Sequence, residues 1–456
     1  MRKILIVGIK EQQVEKLLDK IARLQQLHNR IDPELVTRKN IKLGLRNADG
    51  TGVAVGITSK GQVLGYEKAE DGSVRAVPGK LYYCGYDLEE LVSHVESEWR
   101  HGFEEVVYLL LTGELPSQSV LHHFTCALSE RRSLPAELKK ILRFNSENDD
   151  QMCALHTAVS SLHKFDSNPR STDIRDITRQ CIDLIAKAPT IAAYNYIVCR
   201  SWRGERRSFL EPEPGMTTAQ SFLAMLHGKA PTDKIAHAFD IALMLHAEHG
   251  GGNNSTFTVR TVSSSLTDTY MAICSGIASL AGHLHGGANE AVMNMMDRMK
   301  RKVRDWKDDE EISAYLGGLI EKRCGDRSGK IYGMGHAVYT VSDPRAIILK
   351  DKALRFAEEA GRVDEFRLFE RVADLAVKVV KEKKGKTVCP NVDFYSGFLY
   401  DMLGIPQELF TPIFAMSRVA GWSAHRIEEI IQGRLMRPSY VTSLNSLPPY
   451  LPLQQR

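Results

Sequence analysis

LAGHLHGGANEAVMNMM, residues 280–296, is the stretch whose reading decides the fold. Ahead of it, from about Leu266 to Leu280, apolar residues recur at helical spacing, and a new helix is expected from about Asn289. His283 and His285 flank Leu284 in the turn, and Gly286, Gly287 and Ala288 clear the space beside His285. A histidine at a helix N-terminus meets the positive end of the macrodipole, which disfavours imidazolium. The neutral ring can donate one hydrogen bond at neutral pH, and the small residues let a ligand approach the backbone. The plainer reading is a glycine-softened turn with an incidental histidine. On both readings the unit is helix–turn–helix.

Outward from this turn the pattern repeats. Periodicity at three and four residues dominates from Asp87 onward, with a helix at about 173–202 apolar enough to be central and kinked by Pro189. A charged helix is expected over 297–323, two amphipathic helices over 344–360 and 362–382, and a long helix from about Gln407. The exception is 44–86, where VAVGIT, QVLGYE and VRAVPG are short and strand-like, separated by SKG and EDG turn signals. ILIVGI (4–9) could open a dinucleotide fold, but no GxGxxG follows, and 11–30 reads as a polar amphipathic helix. The fold class is therefore all-α and multi-helical, with minor β-hairpins near the N-terminus. At 456 residues it is too long for one compact core, so two domains are expected.

Four further segments carry candidate chemistry. HAEHGGGNN (246–254) invites a zinc reading, but the helix stops at once and no third ligand follows at metal spacing. His246 reads as structural, a C-terminal histidine complementing the helix dipole, while His249 and Asn253 project from a loop as ligand contacts. In GMGHAVYTVSDPRA (333–346), His336 is flanked by glycine, Asp343 suits an N-cap and Pro344 the first helical position. Arg345 then opposes the macrodipole, a local cost that a nearby anion would offset; a solvated arginine is the plainer reading. In NVDFYSGFLYDML (391–403), Asn391 is an N-cap candidate, and Asp393 is in the first turn, where acids are common for electrostatic reasons alone. Arg418, amid the apolar residues of FAMSRVAGW (414–422), needs an anion if buried, from the protein or from a substrate. No nucleophile elbow, P-loop or metal motif is present in the sequence. The inventory suits proton abstraction next to a carbonyl, with a second, carboxylate-bearing substrate held by arginines.

Composition sets the outer limits. A hydrophobic share of 43% and a charged share of 25% are ordinary for a globular protein, and a net charge of +4 does not point to nucleic acid. The eight cysteines form no CxxC pair, which fits reduced thiols in a cytoplasmic setting. No apolar run reaches about 18 residues, so no membrane span is expected.

HAEHGGGN, GHLHGGANEAV, GMGHAVYTVSDPRA, NVDFYSG and FAMSRVAGW stand in the order and approximate spacing of the citrate synthase family, which the chain resembles from about Leu43 to Arg437. The resemblance implies a two-domain fold: residues 1–286 open the large domain, 287–393 form a mobile small domain that binds coenzyme A (CoA), and 394–456 return to the large domain. It implies an acyltransferase of the tricarboxylic acid cycle, condensing acetyl-CoA with oxaloacetate and hydrolysing citryl-CoA to citrate and CoA. No permanently bound cofactor or metal is implied; acetyl-CoA is a co-substrate. By motif position Asp393 is the base, His285 hydrogen-bonds the thioester oxygen and His336 polarises the ketone. His249, Asn253, Arg345 and Arg418 hold oxaloacetate, and Ile331, Gly333 and Asn391 line the CoA site. Arg437 resembles the arginine that reaches the neighbouring site of a homodimer.

The chain departs from the family at Thr340, where many members carry a basic residue near the CoA phosphates; Lys330 is a candidate substitute. Gly250 follows His249 where an acid is common, and the charged segment 297–330 looks long. The nearest alternative is a 2-methylcitrate synthase using propionyl-CoA, since one methylene shifts preference by only about 1–3 kcal/mol. More distant are a histidine-based metal protein and a non-enzymatic helical protein.

Overall fold

The computed structural model describes residues 11–47, 50–68, 73–144, 150–205, 209–444 and 449–455. The segment 4–9 and the EDG turn at 70–72 lie outside the described residues. Two compact units are present. One comprises residues 1–56 with 437–456 and carries the amphipathic helix Glu11–His28, whose apolar side chains Leu17, Leu18, Ile21 and Leu24 are exposed. The other, residues 57–436, holds almost all the helices, the only sheet among the described residues and the buried core.

Within 57–436 the small sheet is antiparallel, in the order β1 (Gly61–Lys68), β2 (Val74–Tyr83), β3 (Tyr86–Asp87). QVLGYE and VRAVPG are thus strands, with a register shift between Leu64 and Tyr66. VAVGIT (53–58) is not: its backbone joins no ladder of the sheet, so alternation alone did not make a strand there. The sheet has a positioning role. A side chain at Gly65 would meet the Val338 carbonyl oxygen at 2.6 Å, and one at Gly79 would collide with the Ser342 carbonyl. Gly79 N–H donates to that carbonyl at 3.1 Å. Residues 338–342 therefore lie directly on the sheet, which only glycine permits.

The helix Ile174–Trp202 is capped by Asp173, which accepts the Arg175 and Asp176 N–H groups, and is buried from Ala188 to Ile197 with Pro189 inside it. A second central helix, Phe410–Gln432, is buried along nearly its whole length and packs on 174–202, 103–112 and 254–263. It begins three residues later than expected, after a 3₁₀ turn at Gln407–Leu409. That start leaves Pro412 in the first turn, where a missing N–H breaks no helical bond. Each large apolar side chain buried here contributes about 1.5–3 kcal/mol against chain entropy.

The helices flanking the 280–296 turn are Thr269–Leu280 and Ala288–Lys302. The first starts after Leu266, which adopts a left-handed φ of 61°, and is capped by Asp268. The expected continuous helix over 297–323 is two elements, because the chain leaves the helix at Val303 and Asp308 caps a new one, Asp309–Ile320. The pair 344–360 and 362–382 is observed as Pro344–Glu359 and Val363–Lys384.

Candidate active site

His336 is reached first, because the sheet fixes its loop. Val338 and Tyr339 N–H donate to its Nδ1 at 3.0 and 3.1 Å, which places the ring proton on Nε2. The ring stacks on Tyr339 at 4.6 Å and meets His249 edge-on at 4.9 Å. The loop is tied to the next element by backbone bonds, Gly335 N–H to Cys389 O at 2.8 Å and Asn391 N–H to Gly333 O at 2.9 Å. Asn391 completes the junction: its amide donates to Gly335 O at 2.9 Å, and its Oδ1 caps the helix Val392–Met402 by accepting Asp393 N–H at 3.0 Å. One asparagine thus sets the distance between His336 and Asp393.

Asp393 is part-buried in that first turn. Burial pushes its carboxyl up to about 7; Arg345 opposes the rise, Asp343 adds to it and Arg418 opposes it. First-turn electrostatics alone would lower it, so burial dominates.

His285 lies in the turn before Gly287, the N-cap of Ala288–Lys302. Its Nε2 accepts Ser255 N–H at 3.4 Å and lies 3.0 Å from Ser255 Oγ, which leaves the proton on Nδ1. The neutral ring was expected from the helix dipole. The cause is different: burial first, then Arg418, hold its pKa down at about 4. Ser255 was not singled out from the sequence. It opens the helix Asn254–Ser263, and its Oγ bonds Asn253 Oδ1 at 2.8 Å and receives Trp422 Nε1–H at 3.2 Å. Nothing in the spacing of GGGNNS marks it, since only the fold brings 255, 285 and 422 together.

The arginines differ. Arg345 is buried, and the offsetting anion is its own N-cap: Nε reaches Asp343 Oδ1 at 3.0 Å and Nη2 reaches Oδ2 at 2.7 Å. The solvated reading is thereby corrected. Arg418 is fully buried, with its guanidinium 4.7 Å from the Phe414 ring centroid. Its Nε donates to His246 O at 2.5 Å, while Nη1 and Nη2 have no partner among the described residues. Burial pulls its pKa down to about 10, against the pull of Glu248. A guanidinium so placed offers two parallel donors to a planar anion.

His249 is buried, and its Nε2 has no partner among the described residues. Burial holds its pKa well below the ordinary value, and Arg345, His336, Arg418 and His285 each add to that. It is therefore packed among site residues on its loop and does not project into solvent. Asn253 is part-buried on the rim, at the N-cap position. His246 is buried, bonds Tyr400 OH through Nε2 at 2.8 Å and is held neutral by burial, so it does not complement a helix dipole.

Ile331 is buried, and Gly333 has a φ of 75° in the loop below His336. Thr340 Oγ1 is buried without a hydrogen-bond partner among the described residues, while Lys330 is exposed and lines a cavity of about 130 Å³ with Arg298 and Tyr332. Arg437 belongs to the other unit and is exposed. Among the described residues no group of three or more His, Cys, Asp or Glu is placed to hold a metal, and no helix is long and apolar enough to cross a membrane. Among the described residues none of the eight cysteines forms a disulfide.

The arrangement is a carboxyl poised near neutrality, two neutral histidines with assigned donor nitrogens, and a buried guanidinium with two open donors. Residues 51–439 match the family model "Citrate synthase, C-terminal domain". The chain is 39% identical to the citrate synthase of Haloferax volcanii, over 79% of this chain and 88% of that protein. It is 36% identical to the 2-methylcitrate synthase of Shewanella oneidensis, over 79% of this chain and 87% of that one. Among solved structures it is similar to citrate synthase from Thermoplasma acidophilum in a ternary complex with carboxymethyl coenzyme A and oxaloacetate, at a TM-score of 0.75 and 26% identity, covering 91% and 99% of the two chains.

Proposed function

The chain belongs to the citrate synthase family, and on that premise we propose how its site condenses acetyl-CoA with oxaloacetate and hydrolyses the citryl-CoA formed. The enzyme is an acyltransferase. The observation that carries the reading is Arg418: a fully buried guanidinium with two nitrogens that have no hydrogen-bond partner among the described residues, close enough to influence a carboxyl poised near 7.

Asp393 takes a proton from the methyl carbon of the thioester. The methyl group is far too weak an acid for a carboxylate unless the forming enolate oxygen is stabilised as the proton leaves. His285 supports that oxygen with Nδ1–H, the proton left available by the Ser255 contact. The enol carbon attacks the ketone carbon of oxaloacetate, and the ketone oxygen takes up charge beside His336 Nε2–H. Arg418, Arg345 and His249 hold the carboxylates, with Asn253 on the rim. Arg345 contributes through Nη1, since Asp343 engages its other two nitrogens. Water then cleaves the thioester, giving citrate and the CoA thiol.

The acyl-CoA runs along residues 331–333 toward Asn391, whose contact with it is through the junction it builds. Residues 287–393 move as the smaller domain between the two parts of the larger one, 1–286 and 394–456. The enzyme works as a homodimer in the cytoplasm, with Arg437 reaching the partner's site and no cofactor held permanently. The scattering of eight cysteines with no CxxC pair supports the compartment; a monomeric mass in sedimentation would remove the dimer.

A second reading, 2-methylcitrate synthase, is favoured by the 36% identity to the Shewanella oneidensis enzyme. CoA release is measured with acetyl-CoA and with propionyl-CoA, each with and without oxaloacetate. Oxaloacetate-dependent release favouring acetyl-CoA supports the first reading, and a propionyl preference the second. Release from neither rejects both.

A further inference from the structure

One buried carboxylate beneath the site has no part in the chemistry above. Glu248 is fully buried, between His246 and His249, and its environment is built around it. Oε1 accepts the Gly250 N–H and lies 3.0 Å from His425 Nε2. On the far side, Arg260 Nη1 lies 2.9 Å from His425 Nδ1. Because arginine only donates, Nδ1 is the acceptor and Nε2–H points at Glu248. Burial pushes the Glu248 carboxyl up, but His425, Arg418 and the Gly250 N–H together hold it below its ordinary value. Arg260 is itself paired, with Glu428 at 2.5 Å and Glu429 at 2.9 Å. The second oxygen, Oε2, has no hydrogen-bond partner among the described residues.

The helix Phe410–Gln432 runs along this segment in register. Arg418, Gly421 and His425 are spaced i, i+3 and i+7 and so share one face. Arg418 Nε bonds His246 O at 2.5 Å, Gly421 N–H bonds Ala247 O at 3.1 Å and His425 meets Glu248. A side chain at Gly421 would collide with Oε2, so this position lets the carboxylate lie against the helix one turn from Arg418. Within this register Glu248 is the anion one turn from the open guanidinium.

We propose that Glu248 is a positioning residue of the dicarboxylate site: it fixes the backbone of the His249 loop through Gly250 and supplies the buried negative charge that steadies the Arg418 guanidinium. It touches no substrate and acts through those two residues. Burial lowers the pKa of Arg418 overall, and Glu248 is the largest influence opposing that fall. This inference rests on the reading of Arg418 as a carboxylate clamp.

Glu248→Gln separates the two roles, because glutamine keeps the acceptor oxygen and removes the charge. Oxaloacetate binding is measured by calorimetry on the full chain, for wild type, Glu248→Gln, Arg418→Leu and the double variant. The expected result is binding at least tenfold weaker in Glu248→Gln, with the KM for acetyl-CoA unchanged. In the Arg418→Leu background the same change should have no further effect, since coupled residues are not additive. A merely structural role predicts the same loss in both backgrounds and would overturn the proposal, as would wild-type affinity in Glu248→Gln. Glu248→Asp, which keeps the charge, should stay within a few-fold of wild type. It carries the test if the glutamine variant does not fold, and an aspartate variant weakened tenfold or more overturns the proposal. Absence of oxaloacetate binding by wild type would instead reject the parent reading.

Discussion

Asp343 and Arg345, two positions apart at the start of one helix, meet in a two-pronged buried ion pair, Nε to Oδ1 at 3.0 Å and Nη2 to Oδ2 at 2.7 Å. The same carboxylate accepts Arg345 N–H at 3.0 Å and Val392 N–H at 3.2 Å, so it also joins this helix to the one bearing Asp393. Asp343→Asn keeps a capping oxygen and leaves a buried guanidinium uncompensated. The expected cost is about 3–5 kcal/mol of stability, read as a lower denaturant midpoint. The KM for oxaloacetate should rise as well, because the acceptor that orients Arg345 is weakened.

The pH dependence of turnover follows from Asp393. Its carboxyl must be ionised to act as base and titrates at about 7, whereas His285 stays neutral above about 4. The kcat/KM for acetyl-CoA should therefore rise with pH along a single acid limb near 7. Asp393→Asn should lower kcat by about 10²–10⁴-fold and remove that limb. The stability effect has the opposite sense. A carboxyl raised from 3.8 to about 7 on folding favours the folded state below its unfolded pKa, and that contribution is lost as pH rises through 7. Thermal melts should show Asp393→Asn gaining on wild type between pH 4 and 8, by roughly 2–3 kcal/mol after allowance for partial exposure.

Ser255 links three elements through one hydroxyl, with contacts to His285, Asn253 and Trp422. In Ser255→Ala the backbone N–H still faces His285 Nε2, so the tautomer is weakened and not inverted. The expected result is a kcat about tenfold lower, since this is support for one hydrogen bond in the transition state, with the KM for oxaloacetate unchanged. Trp422 Nε1–H loses its acceptor in the core, which costs about 1–3 kcal/mol. Steady-state kinetics and a melt on the same preparation check both.

Local chemistry made part of this site legible. The Asn391 and Asp343 caps, and the proline after Asp343, are readable because a cap acts within a few residues of itself. The dipole argument gave the right charge state for His285 for the wrong reason, since burial depends on chain segments far away in sequence. The same limit hid Ser255, whose partners lie 30 and 167 positions further on. It also hid Glu248, which reads in sequence as part of a weak metal motif and serves in the fold as a buried carboxylate against Gly421. The break at Val303 was missed because the charged residues on either side continue a helical pattern across it.

Arg418 should contribute far more to binding than to stability. Its two terminal nitrogens, without a hydrogen-bond partner among the described residues, each carry a desolvation cost of about 1–3 kcal/mol. Against this stand one bond to His246 O and the contact with Phe414, together worth about 2 kcal/mol. Arg418→Leu removes all of these and fills the space with hydrocarbon, but leaves the buried Glu248 carboxylate without its counter-charge, so the ligand-free variant should melt close to the wild-type temperature. Oxaloacetate, losing two charge-assisted bonds of about 1.5–3 kcal/mol each, should bind at least 10²-fold more weakly. Saturating oxaloacetate should raise the melting temperature of wild type and leave that of the variant unchanged, since a ligand stabilises only the state it binds. Paired melts with and without ligand measure both halves. A variant that is less stable alone, yet still stabilised by oxaloacetate, would show that the guanidinium serves the core and not the substrate.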